Sequence, residues 1–143
     1  MSGTNVHDLN SRFTANRGNA TTMPAGFDAT EFLRDAKVQF IRLQAAYDAK
    51  NLNDLREFTT PEVFGEIQLQ LQERGDELNQ TEVVSLNAEL LDAATEFETT
   101  IASINFSGMI RENANQPAAA FNEIWHFKKD KSAFKWMVSG LQQ

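Results

Sequence analysis

The sequence contains no cysteine and few of the residues that most active sites use, with two histidines and one tyrosine among its 143 residues. Without cysteine the chain can form no disulfide, no thiolate metal site and no thiol nucleophile. His7 and His126 are the only histidines, and neither has acidic neighbours at a metal-ligand spacing. There is also no glycine-rich phosphate loop and no Gly-x-Ser-x-Gly elbow. The sequence therefore predicts no metal site, no cofactor and no recognisable catalytic motif.

Long apolar runs and an excess of basic residues are missing as well. No stretch of about 18 apolar residues occurs, so nothing in this sequence is expected to span a bilayer. Thirteen Lys and Arg residues stand against 20 Asp and Glu residues, which gives a net charge of −7. A chain this acidic is a poor candidate for nucleic-acid binding, which depends on the neutralisation of phosphates.

The charge is unevenly distributed along the chain. Residues 62–98 hold ten acidic side chains and only one basic side chain, that of Arg74. Lysines gather instead near a predicted turn at residues 130–132, namely Lys128, Lys129, Lys131 and Lys135. Two interpretations of this cluster stand: contact with lipid headgroups or an acidic partner, or a charged turn that protects the sheet from edge pairing.

The apolar content is sufficient for one core, with 41% hydrophobic residues that include eleven phenylalanines. Residues 1–26 are rich in Asn, Thr, Ser and Gly, and this composition predicts a flexible leader or linker. Residues 27–143 are predicted to form a single domain.

The first predicted element is a helix over residues 27–47. Asp28 followed by Glu31 is a capping-box arrangement, which marks a helix start. Apolar residues then recur at steps of three or four, so they share one face, which Leu33 and Ile41 widen. The residues of this stripe are Phe32, Ala36, Phe40, Leu43 and Tyr47.

Two shorter helices are predicted to follow. Asn51 can cap a helix through Phe58 that turns its apolar side chains inward, Leu52 among them. Thr60 can cap a third helix, which Gly75 is expected to end in the left-handed conformation. Its predicted buried stripe is Val63, Phe64, Ile67 and Leu71.

From Thr81 onward the apolar period changes from 3.6 to 2, which indicates strands. The first strand places Val84, Leu86, Ala88 and Leu90 on one face, and the Leu90-Leu91 pair suggests a bulge. Further strands are predicted over residues 100–110, 121–128 and 134–141. Short connections favour antiparallel neighbours. The predicted fold class is α+β, with N-terminal helices packed on a curved four-stranded antiparallel sheet.

Several segments in this order resemble a known family. They are GFDATEFLRDAKVQFIRLQAAYDAKNLNDLREFTTPEVFGEI, ERG, TEVVSLNAELLDAATE, FSGMIRE, FNEIWHF and KWMVSGLQQ. Together they resemble bacterial proteins that carry a domain similar to subunit 44 of the mitochondrial inner-membrane translocase. The resemblance implies a cone of the nuclear-transport-factor-two-like superfamily, with a hydrophobic pocket between helices and sheet.

The resemblance also carries expectations about the setting of the protein. In the mitochondrial relative the domain is a peripheral membrane module that binds cardiolipin-rich membrane and helps to scaffold the import motor. Bacterial relatives place the domain after a hydrophobic segment and a linker. We therefore expect a non-enzymatic, membrane-proximal module at the bacterial inner membrane, tethered by a segment that this soluble chain lacks. Its expected partners are a protein, a membrane lipid such as cardiolipin, or both.

Candidate site residues follow from the predicted fold. The pocket-lining candidates are Phe40, Leu43, Tyr47, Phe64, Phe106, Glu123, Trp125 and Trp136. The candidates for lipid or partner contact are Arg34, Arg42, Lys128, Lys129 and Lys131.

Two alternatives to a binding module remain open at the level of sequence. The first is an isomerase or dehydratase that uses Tyr47, His126 and Glu123 as pocket groups. This alternative depends on strand alternation, since His126 points outward if Trp125 and Phe127 face the core. The second is a homodimer through the outer face of the sheet, where Ile101, Met109 and Met137 are candidates for contact.

Overall fold

The computed structural model describes residues 24–76 and 80–142. The predicted leader, residues 1–26, lies outside these ranges except for its last three residues. The described residues form three helices followed by four strands, which confirms the predicted α+β class. The elements are α1 (Ala29–Ala49), α2 (Leu52–Phe58), α3 (Pro61–Arg74), β1 (Glu82–Glu96), β2 (Thr99–Arg111), β3 (Ala119–Asp130) and β4 (Met137–Gln142).

Helix α1 begins at the predicted cap, since the Glu31 N–H donates to Asp28 Oδ1 at 3.1 Å. It ends at Lys50, whose backbone is left-handed and whose N–H donates to carbonyls of the last turn. Its buried residues are Phe32, Ala36, Phe40, Leu43 and Ala46. The prediction that Ile41 widens this face is wrong, because Ile41 is 50% exposed. One residue along a helix is about 100° of rotation, which carries Ile41 away from the buried Phe40.

The caps of α2 and α3 are also those predicted. Asn51 accepts a hydrogen bond from the Asp54 N–H, and Thr60 accepts one from the Val63 N–H. Leu52, predicted to point inward, is 39% exposed. Gly75 ends α3 with a positive φ of 67° but a ψ of −136°, so it is not in the left-handed helical region that we predicted. Glycine suits this conformation because it has no Cβ.

The four strands form one antiparallel sheet in the order β1-β2-β3-β4, which is the predicted meander. The predicted bulge is present as a register shift between Leu90 and Asp92. A second shift, between Val83 and Ser85, was not predicted. It turns Val84 outward, where it is 49% exposed, and Val83 packs against the core instead. One inserted residue is enough to reverse the facing of its neighbours, because side chains alternate along a strand.

Strand β4 begins at Met137, three residues later than predicted. Phe134, which we placed in that strand, lies in the preceding loop and is fully exposed at 100%. The strand is joined to the helical layer by an isolated parallel bridge between Thr59 and Val138. In addition, the Thr60 N–H donates to the Val138 carbonyl oxygen at 2.9 Å.

The core lies between α1 and the inner face of the sheet. Phe40 is fully buried, and its ring centroid lies 4.8 Å from those of both Phe106 and Trp125. Phe32 packs in the same layer against Phe127, with ring centroids 5.6 Å apart. Aromatic side chains of this size bury large apolar areas and favour tilted or edge contacts of this kind. These aromatic contacts fix the position of α1 relative to the sheet.

Candidate functional site

A cavity of about 350 Å³ opens between α1, α3 and the inner face of the sheet. It lies at the end of the sheet where β1 begins and β2 ends. The lining residues are Leu43, Gln44, Tyr47, Leu55, Thr59, Val63, Ile67, Gln70, Thr81, Ile110, Glu112, Glu123, Trp125, Val138 and Leu141. The volume is within the range of sites that hold a small molecule or a few side chains.

The floor of the cavity is apolar and belongs to the core. Leu43, Leu55, Val63, Trp125 and Val138 are each buried and each contribute to the lining. Their positions are fixed by packing, since the α1 stripe and the inward residues of β3 and β4 meet there. An occupant with an apolar body would therefore find a rigid surface to cover.

The rim of the cavity is polar and acidic. Two carboxylates, those of Glu112 and Glu123, line it, while no Lys, Arg or His side chain does so among the described residues. Trp125 Nε1 donates to Glu123 Oε1 at 2.9 Å, which holds this carboxylate over the cavity wall. Residues two apart on a strand share a face, so β3 supplies both groups to the same site. The site therefore combines an apolar floor with negative charge.

The mouth of the cavity is fixed by contacts between the end of α3 and the end of α1. Arg74 donates to the carbonyl oxygens of Tyr47 and Asp48 at 3.0 and 3.2 Å. Its guanidinium lies 5.1 Å from the centroid of the Tyr47 ring. Asp48 in turn accepts from the N–H and hydroxyl of Thr81, at 2.6 and 3.0 Å. We did not predict a role for Arg74, although its position as the one basic residue among the acidic residues 62–98 could have indicated one.

Four of the eight pocket-lining candidates line this cavity, namely Leu43, Tyr47, Glu123 and Trp125. The other four lie elsewhere. Phe40 and Phe106 are fully buried in the core, and Phe64 is 8% exposed. Trp136 packs at the other end of α1, where its ring centroid is 4.7 Å from that of Phe32.

The three groups of the enzymatic alternative are divided between the two faces of the sheet. Tyr47 and Glu123 line the cavity. Trp125 and Phe127 face the core, so His126 points to the outer face. There its Nδ1 is 2.7 Å from the Ser103 hydroxyl, and its Nε2 is 3.2 Å from Gln142 Oε1. His126 therefore cannot share a substrate with the two cavity groups.

The basic candidates also lie in different places. Arg42 makes a two-pronged ion pair with Asp54, with N–O distances of 3.0 and 3.1 Å, and this hydrogen bonding raises the pKa of Arg42. The same guanidinium lies 4.6 Å from the centroid of the Phe58 ring. Arg34 is exposed on α1. The lysine candidates, Lys128, Lys129 and Lys131, lie at the end of the sheet opposite the cavity.

The candidates for a dimer contact lie along the outer face of the sheet. Ile101 is 43% exposed, while Met109 and Met137 are half-buried. Ser103, His126 and other polar side chains lie on the same face. The dimer interpretation stays a prediction.

The described residues contain neither a candidate metal site nor a candidate membrane-spanning helix. No cluster of three or more His, Asp or Glu side chains there could hold a metal ion. None of the helices described combines the length and the apolar content needed to cross a bilayer.

A helical layer on an antiparallel meander, with a cavity between the two, defines a small α+β domain. The chain belongs to the Tim44-like domain family, whose model matches residues 18–143. This match confirms the resemblance to subunit 44 of the translocase. Membership indicates a binding module that is associated with membranes and protein transport.

No curated protein matches this chain. Among solved structures, the solution structure of a SEC-C motif containing protein from Rhodopseudomonas palustris is similar at 17% sequence identity. The likeness covers 73% of this chain and 74% of that chain, with a TM-score of 0.44.

Proposed function

We propose that this domain is a non-enzymatic, membrane-proximal binding module whose cavity takes an apolar segment of a protein partner. In this proposal the partner docks on the helical face around the cavity mouth and carries a positive charge beside its apolar residues. The composition of the cavity lining supports the proposal, since an apolar floor lies beneath two carboxylates with no basic side chain among the described lining residues.

The charge of the rim favours a peptide over a lipid as the occupant. A fatty-acid carboxylate or a lipid phosphate entering this cavity would meet the carboxylates of Glu112 and Glu123, and the described lining residues include no Lys, Arg or His side chain. Like charges brought within a few ångströms in a partly dry site repel strongly. A segment with Leu or Phe next to Lys or Arg meets both requirements of the lining.

The separation of His126 from Tyr47 and Glu123 supports binding over the isomerase or dehydratase alternative. General acid and base groups must reach the same bound molecule at hydrogen-bond distance. The sheet stands between His126 and the cavity, where Trp125 and Phe127 are buried. Accordingly, His126→Ala should leave partner binding unchanged.

The membrane side of the proposal rests on the family and on the basic end of the sheet. A tether would hold the domain near the bacterial inner membrane. The lysine cluster of Lys128, Lys129 and Lys131 would face anionic lipid such as cardiolipin. The cavity and the lysine cluster lie at opposite ends of the sheet, so the two contacts do not compete for the same surface.

A cavity-filling variant tests the proposed occupant. Ile67 on α3 lines the cavity and is half-buried, so Ile67→Trp should fill it. The matched control is Leu69→Trp on the same helix, where the side chain is 60% exposed. The probe is a fluorescein-labelled peptide rich in Leu and Arg, and its anisotropy reports binding. We expect Ile67→Trp to weaken binding by about tenfold or more, a loss comparable to that of one buried side chain.

The same anisotropy assay also tests whether the bound segment must carry positive charge. A second peptide carries Glu in place of each Arg. Glu112→Lys should weaken binding of the Arg peptide and strengthen binding of the Glu peptide, because replacing one of the two carboxylates with a cation removes the net negative charge of the rim. Equal binding of both peptides, or no effect of Ile67→Trp, would show that the cavity does not take a cationic apolar segment.

A further inference from the structure

Two phenylalanines stand in solvent at the end of the sheet opposite the cavity. Phe97, between β1 and β2, is 94% exposed, and Phe134, between β3 and β4, is 100% exposed. The two connections are neighbours, since the Lys131 N–H donates to the Glu98 carbonyl oxygen at 2.7 Å. We call these connections, residues 97–98 and 131–136, the aromatic tip.

Stability does not account for these two side chains. Neither covers apolar surface of the domain, and each leaves a whole aromatic ring in water. Phe97 also has a φ of 58°, a backbone conformation that glycine and asparagine adopt readily and bulky residues rarely do. A turn built only for stability would carry Gly or Asn at this position. A function outside the domain is the simpler explanation.

Cations lie next to the aromatic tip. Lys128 and Lys131 are exposed, and Lys129 is half-buried. None of the three takes part in the ion pairs found among the described residues. Lys135 is already engaged, with its Nζ 3.2 Å from Glu57 Oε1.

Acidic side chains share this end of the sheet, so the local charge is mixed. Glu96 and Glu98 are exposed in or beside the β1–β2 turn. Asp130 accepts a hydrogen bond from the Thr99 hydroxyl at 2.7 Å. The three lysines and these three carboxylates are equal in number, which means that the aromatic rings, more than the charge, would supply binding at this end.

We propose that the aromatic tip docks on an anionic bilayer, with Phe97 and Phe134 entering the boundary between headgroups and acyl chains. The three neighbouring lysines would then lie at the level of the lipid phosphates. This inference rests on the membrane association proposed above, but it does not depend on what fills the cavity.

The exposure of the rings favours a bilayer over a protein as the occupant. A side chain that is 94% or 100% exposed has no walls around it, so the tip offers no groove for a partner. A protein would have to supply a separate pocket for each ring. A fluid bilayer accepts protruding aromatic side chains without any such preformed complement.

Site-specific labelling tests the inference directly. Because the chain has no cysteine, Phe134→Cys creates a single attachment site for a polarity-sensitive fluorophore. Leu69→Cys on α3, at a position that is 60% exposed, is the matched control. The vesicles contain phosphatidylglycerol and phosphatidylcholine in equal parts, or phosphatidylcholine alone. We expect the label at position 134, and not the label at 69, to shift to the blue on the anionic vesicles and to be quenched by brominated lipids.

A second experiment measures the affinity of tip variants for the same vesicles. The double variant Phe97→Asn, Phe134→Ser should bind the anionic vesicles at least about tenfold more weakly. It lacks the favourable free energy of transferring the two aromatic rings from water into the bilayer. Val38→Ser, Leu69→Ser removes two side chains of 62% and 60% exposure from the helices and should leave vesicle binding unchanged. Circular dichroism checks that each variant is folded.

Three results would overturn the inference: no binding of the wild-type chain to either vesicle, equal binding by the double variant, or a response of the label at 69 without one at 134. The first two would leave the rings available as a protein contact. Failure here is distinguishable from failure of the cavity proposal. Ile67→Trp should keep vesicle binding intact, and the tip variant should keep peptide binding intact.

Discussion

Phe97 has the left-handed backbone that its turn requires, although its side chain is poorly suited to it. An L-residue in this region costs about 1 kcal/mol, and Asn tolerates it better than Phe does. Phe97→Asn should therefore raise the free energy of unfolding by about 1 kcal/mol. Urea denaturation of the two chains measures this difference. An unchanged or lower stability would mean that the Phe97 ring makes a contact that stabilises the fold.

Gly108 on β2 is a position where only glycine fits. A Cβ there would collide with the carbonyl oxygen of Ser85 and lie 2.8 Å from its carbonyl carbon, at the first bulge. Gly108→Ala should lower the free energy of unfolding by about 3 kcal/mol, because the backbone of β1 must move.

The matched control for that change is Gly65 on α3, which has no atom within 4 Å of an added Cβ. Gly65→Ala should stabilise the domain by about 0.5 to 1 kcal/mol, since alanine is the better helix former. Guanidinium titrations of both variants and of the wild-type chain measure these changes in the free energy of unfolding. Equal effects of the two substitutions would refute the assignment of the clash at Gly108.

Single residues were predicted from sequence where a local rule fixed them. Asp28, Asn51 and Thr60 cap helices because the hydrogen bond of a cap lies within three residues of sequence. Phe134 was misplaced in a strand, because an aromatic residue after a turn usually continues into the core. The residues next to Phe134 in the sequence do not indicate that it is exposed to solvent, because its exposure depends on the path of the loop between β3 and β4.

Helices α1 and α2 are joined by the ion pair between Arg42 and Asp54. Hydrogen bonding from Arg42 holds the pKa of Asp54 below its usual value. The contribution of this carboxylate to stability is therefore complete above the unfolded-state pKa of about 4 and is lost as the pH falls through the lower folded-state pKa.

Asp54→Asn should consequently reduce stability at neutral pH, and the difference from the wild-type chain should vanish in acid. Thermal unfolding of both chains across this pH range measures it. The pair is partly exposed, at 51% for Arg42 and 25% for Asp54, so added salt should shrink the effect. A difference that persists in acid would indicate that Asn disturbs α2 in another way.

Elements were predicted more reliably than the faces of the strands. The change of apolar period from 3.6 to 2 near Thr81 separates helices from strands, and the structure changes there from α3 to β1. The bulge between Val83 and Ser85 has no signal in the sequence. Val83 and Val84 are equally apolar, so the pattern does not show which of them faces the core. The outward turn of Val84 therefore depends on the pairing of its neighbours, Val83 with Ile110 and Ser85 with Met109, across to another strand.

Across the whole molecule, the cavity and the aromatic tip lie at opposite ends of one sheet. Strand β2 runs between them from Thr99 to Arg111, about 40 Å at the rise of an extended chain. A chain that carries Ile67→Trp together with the two tip substitutions should therefore bind the peptide as weakly as Ile67→Trp alone and the vesicles as weakly as the tip variant alone, which is the product of the separate factors for each probe. Binding assays with both probes measure this. A marked departure from the product would indicate that the two ends are coupled.

The general layout, helices first and then a meander, was accessible from sequence because each connection is short and local. The cavity was only partly accessible. Tyr47, Glu123 and Trp125 were named from strand and helix periodicity, whereas Glu112 and Thr81 enter the lining through the curvature of the sheet and the position of α3. Such placement depends on packing between distant segments and leaves no periodic signal.

The bridge between Thr59 and Val138 also has a consequence for the order in which the protein is made. The connection between α2 and α3 completes its backbone pairing only with β4, nearly eighty residues later in the chain. Thr59 and Thr60 are buried, so this segment stays incompletely paired until Val138 has left the ribosome. The helical layer of a nascent chain should accordingly remain open to proteases and chaperones throughout synthesis of the first three strands, and close in a single late step when β4 arrives.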